Sequence, residues 1–245
     1  MKSVKLSIAL FLFSVVSSAT FAQTADEIIS RYITTIGGAE KLKAVKGIKM
    51  EMSVNAQGME IPVEMVQLQG GKMYLKINLQ GKEITQMASD GNTMWSTNFM
   101  TMKAEKADAE TTENAKLSNQ DFPDPFLNYK EKGYTAEYVG KETKEGTECY
   151  KVKFTKKPLS INGVKQDDVS YYFFDTENNL PIATETEIKD GPMKGEKSVS
   201  TMSDYQEVDG IFFPHAMNQG GQDLKIKKIT LNPVVADKAF DFPTE

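Results

Sequence analysis

The feature that most constrains the fold is a regular alternation of apolar and polar residues that begins near residue 48. Residues 48–55, 59–68 and 72–80 each place apolar side chains at every second position, with polar or charged side chains between them. Turn pairs recur along this region at intervals of about ten residues, at Gly70-Gly71, Gln80-Gly81 and Asp90-Gly91. The pattern therefore predicts an antiparallel meander whose strands have one apolar face and one polar face.

Two short helices are predicted ahead of the strands. In TADEIISRYITTIGG, Thr24 and Glu27 have the spacing of a capping box, and apolar residues recur at intervals of three and four. Gly37 and Gly38 end this helix, and a second helical turn follows in AEKLKAVKG. The chain is therefore expected to place an amphipathic helix before its first strand.

The alternation is interrupted between residues 103 and 133. The segment KAEKADAETTENAKLSNQ is polar and poor in apolar anchors, which predicts a mobile loop without a helix cap. Asp124-Pro125 predicts the start of a helix carrying Phe126, Leu127 and Tyr129, because proline is tolerated at the first helical position. We expect this loop-helix insertion to cover the apolar face of the sheet as a lid. Strands resume after it.

The first 22 residues have the character of a secretory signal peptide. Lys2 and Lys5 precede an almost wholly apolar run, and small residues lead to a cleavage site between Ala22 and Gln23. The apolar run is too short for a comfortable membrane span, which needs about 20 residues. Residues 23–245 are therefore expected to form a single exported, soluble domain in the periplasm.

Charge and cysteine content exclude several classes of partner and of stabilising bond. The formal charge of −5 becomes −7 when the two lysines of the leader are removed, and the charges of both signs are interspersed. This argues against nucleic acid and strongly anionic membranes as partners. Cys149 is the only cysteine, so an intramolecular disulfide cannot form.

The sequence offers little for catalysis or for metal binding. His215 is the only histidine, which excludes sites built from several histidines, and the motifs of serine hydrolases and nucleotide-binding loops are absent. A hydrolase that pairs Cys149 with His215 is the weakest alternative, because no third group is visible to orient the pair. We predict no catalytic residue, no metal and no cofactor.

Methionines are concentrated in the first half of the predicted sheet. Nine of them fall between residues 50 and 102, in the same region as Trp95, the only tryptophan. Methionine is flexible and polarizable, so such a face can adapt to variable apolar ligands such as acyl chains. The alternative is that these side chains simply fill the gap between a curved sheet and a helix.

Two segments give the chain a resemblance to a known family. TTIGGAEKLKAVKGIKMEMSV and DYQEVDGIFFPHAM resemble corresponding parts of the periplasmic outer-membrane lipoprotein-sorting, or lipoprotein-carrier, superfamily. The resemblance implies a mainly β fold with few helices, in which a strongly curved antiparallel sheet of about eleven strands forms an incomplete barrel. The N-terminal helix and the helical lid would lie on its concave side.

The resemblance also implies a function. A carrier of this kind, expected to be a monomer, holds the acyl chains of a lipoprotein or lipid and hands them towards the outer membrane. Its partners would be an inner-membrane donor and an outer-membrane acceptor. The expected ligand-binding residues are the apolar side chains of the concave face and the lid: Met50, Met52, Met59, Ile61, Val63, Met65, Met73, Leu75, Ile77, Leu79, Met87, Met94, Trp95, Phe126 and Leu127.

One departure from the family keeps a second function open. The studied carriers latch the lid with an arginine on a strand, whereas the only arginine here is Arg31, in the N-terminal helix. The alternative is an envelope sensor or adaptor that uses the same half-barrel to bind a protein or lipopeptide and transports nothing.

Overall fold

The structure is a computed structural model that describes residues 23–56 and 58–243. The predicted leader, residues 1–22, lies outside the described residues. The helices are α1 (Ala25–Thr35), α2 (Ala39–Ala44) and α3 (Ala109–Ser118), with short 3-10 helices at Asn119–Asp121 and Asp237–Ala239. None of the helices in the described part of the chain has the length and apolar character needed to cross a membrane.

Thirteen strands follow one another along the chain. They are β1 (Gly47–Ala56), β2 (Met59–Leu68), β3 (Lys72–Leu79), β4 (Lys82–Asp90), β5 (Met94–Asn98), β6 (Lys103–Lys106), β7 (Thr135–Lys144), β8 (Thr147–Ile161), β9 (Val164–Asp175), β10 (Pro181–Glu187), β11 (Lys197–Val208), β12 (Ile211–Gln219) and β13 (Gln222–Leu231).

All thirteen strands belong to one antiparallel sheet that is curved and open. Its order is β6-β5-β4-β3-β2-β1-β13-β12-β11-β10-β9-β8-β7, so that the two edges, β6 and β7, flank the segment that contains α3. The predicted mainly β class and the open, curved antiparallel sheet are confirmed. The sheet has thirteen strands rather than about eleven, in part because β6 lies where the polar composition predicted a loop.

The N-terminal helix forms as its sequence predicts. Thr24 and Glu27 make both hydrogen bonds of the capping box. Beyond the end of α1, Gly37 has a φ of +125°, and a Cβ at this position would collide with the carbonyl oxygen of Gly210. The backbone N–H of Phe212 also donates to the carbonyl of Ile36 at 2.9 Å. The helix is thereby fixed to the turn between β11 and β12.

The main core lies between α1 and one face of the sheet, which we call the inner face. The buried side chains of α1 pack here against side chains from both halves of the sheet and from the segment after α3. Buried members of this core include Ile28, Ile29, Tyr32, Ile48, Met52, Val63, Phe126, Tyr134, Phe154, Phe174, Ile211 and Ile226. The amphipathic helix therefore buries its apolar side inside the curve of the sheet.

Two predictions about the insertion are wrong. Residues 109–118 form a capped helix, α3, because the side chain of Asp108 accepts a hydrogen bond from the backbone N–H of Thr111 at 2.7 Å. Residues after Asp124 form successive turns rather than a helix. The carboxylate of Asp124 accepts from the backbone N–H of Phe126 at 2.8 Å, which closes a local turn in place of helical hydrogen bonds.

Candidate functional site

A cavity of about 370 Å³ lies on the inner face, between the sheet and the segment 123–126. Tyr32 of α1 and Phe126 form one side of it. The other side consists mainly of apolar and aromatic side chains from β9 to β12: Tyr172, Pro181, Met202, Tyr205, Phe213 and Met217. Its volume falls in the range of about 300–1,000 Å³ that is typical of sites for small apolar ligands.

A buried polar pair lies in the wall of this cavity. The hydroxyl of Tyr32 donates to Oδ2 of Asp124 at 2.6 Å, while Oδ1 accepts from the backbone N–H of Phe126. Burial raises the pKa of Asp124, although both hydrogen bonds act in the opposite direction. Burial, followed by the nearby Asp124 charge, also raises the pKa of Tyr32 well above its usual range. The pair satisfies itself internally and fixes segment 123–126 against α1.

Two further tyrosines give the cavity a neutral polar character. Burial raises the pKa of both Tyr172 and Tyr205, so both phenols stay protonated under all physiological conditions. The hydroxyl of Tyr205 donates to the carbonyl of Pro181 at 2.6 Å. The arrangement suits an uncharged, mainly apolar ligand, because an ion would lose its hydration, while the carboxylate in the wall, that of Asp124, is already engaged by Tyr32 and the Phe126 N–H.

Helix α3 is held beside the opening of the sheet by polar contacts at both of its ends. Near its first turn, the carboxylate of Glu110 accepts hydrogen bonds from the backbone N–H groups of Asn162 and Gly163, in the turn between β8 and β9. Just after its last turn, Nδ2 of Asn119 donates to the carbonyl of Gly71 at 3.5 Å. The helix thus connects the two halves of the sheet.

The structure brings most of the predicted binding residues to the inner face. Met52 and Val63 are opposite each other in register and buried in the main core, which also contains the buried Phe126 and Leu127. The neighbouring side chains that pack against this core and stay partly exposed are Met50, Met65, Leu75 and Ile77. The alternation therefore predicted the inner face of β1 to β3 correctly.

Other predicted residues share this face but lie outside the main core. Register pairs Ile61 with Val54, Met87 with Leu75, and Leu79 with Lys82 beside a turn. Met73 and Met94 are both paired with Ser89 of β4. Met59 follows the turn between β1 and β2 and is 59% exposed. Whether any of these side chains contacts a ligand remains a prediction.

The predicted position of Trp95 on the inner face is wrong. Register places it opposite Ala88, on the other face of the sheet, and its Nε1 donates to the carbonyl of Phe240 at 3.2 Å. Its buried neighbours in this outer cluster are Val66, Tyr74, Ala88 and Phe240. Trp95 belongs to the opposite parity from Met94, and the C-terminal segment covers it.

The sequence predicted Phe126 on one side of the cavity, but it predicted none of the cavity residues from β9 to β12 on the other side. Met202 and Met217 are paired directly across β11 and β12, and both line the cavity. The alternation of apolar and polar residues in these strands indicates which side chains share the inner face. In β11 this alternation is interrupted at Asp204, which has a positive φ of 53°.

The structure does not support a catalytic pair of Cys149 and His215. Cys149 is buried in β8 on the outer face beside Phe173, and burial raises the pKa of its thiol, which opposes formation of the reactive thiolate. His215 lies in β12, and β9, β10 and β11 separate the two strands. Nδ1 of His215 is 3.1 Å from the carbonyl oxygen of Phe213. Within residues 23–56 and 58–243, no group of acidic, histidine or cysteine side chains is arranged to hold a metal ion.

Comparison with solved structures identifies the fold. A LolA superfamily protein from Nitrosomonas europaea superposes with a TM-score of 0.53 at 13% identity, covering 90% of this chain and 98% of that one. The chain therefore shares the fold of this protein. A DUF1329 family protein from Desulfovibrio piger gives the same TM-score of 0.53 at 15% identity, covering 89% of this chain and 97% of that one. No family model and no curated protein matches the sequence itself.

Proposed function

We propose that this protein is an exported carrier that holds acyl chains of a lipoprotein or lipid on the inner face of its curved sheet. The observation that carries the proposal is the cavity between α1, segment 123–126 and strands β9 to β12, whose walls are mostly apolar. Each CH₂ group left in water costs about 0.8 kcal/mol, so a chain of many such groups needs a shelter of this kind to cross an aqueous compartment.

The inner face offers a continuous path beyond the cavity. Strand β12 is hydrogen-bonded to β13, and β13 to β1, so the apolar inner face continues from the cavity across Leu224 and Ile226 to Met50 and Met52, where the main core now fills it. A chain longer than the cavity would extend along this path towards the methionines of β1 to β4. Methionine suits such a surface because its side chain adapts to different ligand shapes.

In this proposal α3 acts as a lid at the opening of the sheet, although none of its residues lines the cavity itself. The helix buries no side chain completely, and hydrogen bonds join both of its ends to the rest of the chain. A lid held in this way can open without exposing an apolar core. In the proposed cycle, residues 23–245 act as one unit that accepts cargo at an inner-membrane donor and releases it to an outer-membrane acceptor with higher affinity.

Replacing a small side chain that lines the cavity with a large one tests this proposal. Ser200 of β11 lines the cavity, whereas Ser203 lies on the outer face of the same strand, beside His215. We expect Ser200→Phe to weaken binding of a fluorescent fatty-acid probe at least tenfold, while Ser203→Phe binds it as the wild type does. Equal binding by both variants, at similar melting temperatures, would place the probe outside the cavity.

A second measurement separates the carrier from the sensor or adaptor. Native mass spectrometry of the gently purified protein should show bound lipid or lipopeptide in the wild type and less of it in Ser200→Phe. A protein that carries no lipid, ignores the probe and instead crosslinks to one stable protein partner would favour the sensor.

A further inference from the structure

Six hairpin turns project from the same end of the sheet. The register of each antiparallel pair places the turns of β1–β2, β3–β4, β5–β6, β8–β9, β10–β11 and β12–β13 at this end and the intervening turns at the other. We call this the hairpin end. It comprises residues 58, 80–81, 99–102, 162–163, 188–196 and 220–221 with the described strand residues that adjoin them.

Large apolar side chains are exposed at this end. Met100 is 96% exposed at the tip of the β5–β6 turn, where Phe99 and Met102 flank it. Exposed apolar side chains also stand at or beside three of the other five turns: Met59 at β1–β2, Val164 at β8–β9, and Met193 and Val199 at β10–β11. Exposure of an isolated apolar residue needs no explanation, but repetition at one end of a fold indicates an interaction surface.

The shape and charge of the hairpin end favour a lipid surface as its partner. The apolar side chains protrude from separate turns, so they fit a deformable fluid better than a rigid protein surface. Exposed lysines, Lys82, Lys103 and Lys194, accompany them and can extend to lipid headgroups. Two of the acidic residues near these turns are neutralised by lysines, Glu60 by Lys227 and Glu83 by Lys76.

The cavity reaches the same end of the fold. Ser200 and Gln219 are opposite each other in the last register positions of β11 and β12 before this end, and both line the cavity. The contacts of Glu110 with Asn162 and Gly163 also lie here, so the first turn of α3 is anchored at this end. A surface that docks at the hairpin end would therefore adjoin the cavity and the start of the lid.

We propose that the hairpin end docks on the surface of a phospholipid bilayer by inserting the apolar side chains of its turns between the headgroups. Cargo would then enter or leave the cavity at the membrane surface itself. Insertion would depend on apolar burial more than on net charge, because lysines and acidic residues are interspersed along these turns.

Flotation with phosphatidylcholine vesicles tests the docking surface. We expect the wild type to float with vesicles and Phe99→Ser combined with Met100→Ser to reduce the bound fraction at least fivefold. The control is Val234→Ser, because Val234 is fully exposed but follows the opposite end of β13. The proposal would be overturned if the wild type did not float with the vesicles, or if the double variant floated equally well. It would also be overturned if moderate salt abolished the binding of the wild type.

A site-specific label gives an independent readout. Cys149 is buried, so Met100→Cys provides one accessible thiol for an environment-sensitive dye. We expect its emission to shift to the blue on addition of vesicles, and that of labelled Val234→Cys to stay unchanged. Identical responses would contradict the proposed orientation. Binding of the fatty-acid probe in solution should be normal in the double serine variant, which separates this proposal from that of the carrier.

Discussion

The carboxylate of Glu110 accepts a hydrogen bond of 2.7 Å from the backbone N–H of Gly163, joining α3 to the turn between β8 and β9. The same side chain accepts from the N–H of Asn162 at 2.8 Å and from the hydroxyl of Ser160 at 2.9 Å. One turn later, Asn114 exchanges two hydrogen bonds with the backbone of Ser160. The i, i+4 spacing places both side chains on one face of the helix, which makes this face a polar latch.

Removal of Glu110 should release the start of α3. In Glu110→Ala, three hydrogen bonds disappear and no buried apolar contact of the helix compensates for them. We expect faster hydrogen exchange over residues 109–118, with the strands unchanged. The matched control is Glu113→Ala, since Glu113 pairs only with Lys116 on the exposed side of the helix. Unchanged exchange in the Glu110 variant would show that other contacts hold α3.

Acid should weaken the same latch. The Gly163 N–H and the Ser160 hydroxyl lower the pKa of Glu110 from its ordinary value of 4.5. A carboxyl group whose pKa is lowered in the closed state stabilises that state above its ordinary pKa, and the contribution is lost as pH falls through the lowered value. Hydrogen exchange of α3, corrected for intrinsic rates, should therefore rise below about pH 4.5. The rise should be smaller in Glu110→Gln, and equal rises would assign it to other groups.

Met52 and Met59 should respond differently to the same substitution. Met52 is 7% exposed in the main core, so Met52→Gln buries an amide without partners and should cost about 1–3 kcal/mol of unfolding free energy. Met59 is 59% exposed, and Met59→Gln should stay within about 0.5 kcal/mol of the wild type. Urea denaturation measures both. Comparable losses would mean that Met59 is buried in solution.

Loss of the Tyr32 hydroxyl should destabilise the wall of the cavity. Tyr32→Phe leaves Oδ2 of the buried Asp124 without the hydrogen bond that it accepts at 2.6 Å. An unsatisfied buried acceptor costs about 1–3 kcal/mol, which chemical denaturation should detect. Combination with Asp124→Asn should cost less than the sum of the single changes, because both remove the same interaction. Additive losses would indicate that the two groups do not interact.

The C-terminal segment should stabilise the first half of the sheet. Phe240 is 1% exposed on the outer face, where its ring lies 5.6 Å from that of Tyr74. Phe240→Ala should cost about 3–5 kcal/mol. It should also shift the fluorescence of Trp95, the only tryptophan, whose indole N–H donates to the carbonyl of residue 240. Val234→Ala is the exposed control, and a similar emission spectrum in both variants would contradict this packing.

Local sequence patterns determined the elements that depend on local physics. The capping box of Thr24 and Glu27 forms as predicted, because its hydrogen bonds join residues three positions apart. The alternation in residues 48–55 fixed which side chains of β1 share a face, because a strand has a period of two. Glycine-containing turns then set the antiparallel order of neighbouring strands.

The sequence did not predict the environment of residues whose neighbours come from distant parts of the chain. Strand parity puts Trp95 on the outer face, but it is buried there only because residue 240, 145 positions later, covers it. Asp124 begins turns rather than a helix, and it meets Tyr32, which is 92 positions away. Helix α3 forms in a polar segment whose anchoring partners, in the β8–β9 turn, are about 50 positions further on.

The sequence by itself determined the class of fold: an N-terminal helix, an antiparallel sheet with one apolar face, and a polar interruption after the first strands. Only the tertiary structure decided where a cavity forms. That decision depends on the space left between α1, segment 123–126 and β9 to β12, and strand periodicity contains no information about this space. A period of two tells which side chains share a face, whereas the curvature of thirteen paired strands decides which part of that face the helix fails to fill.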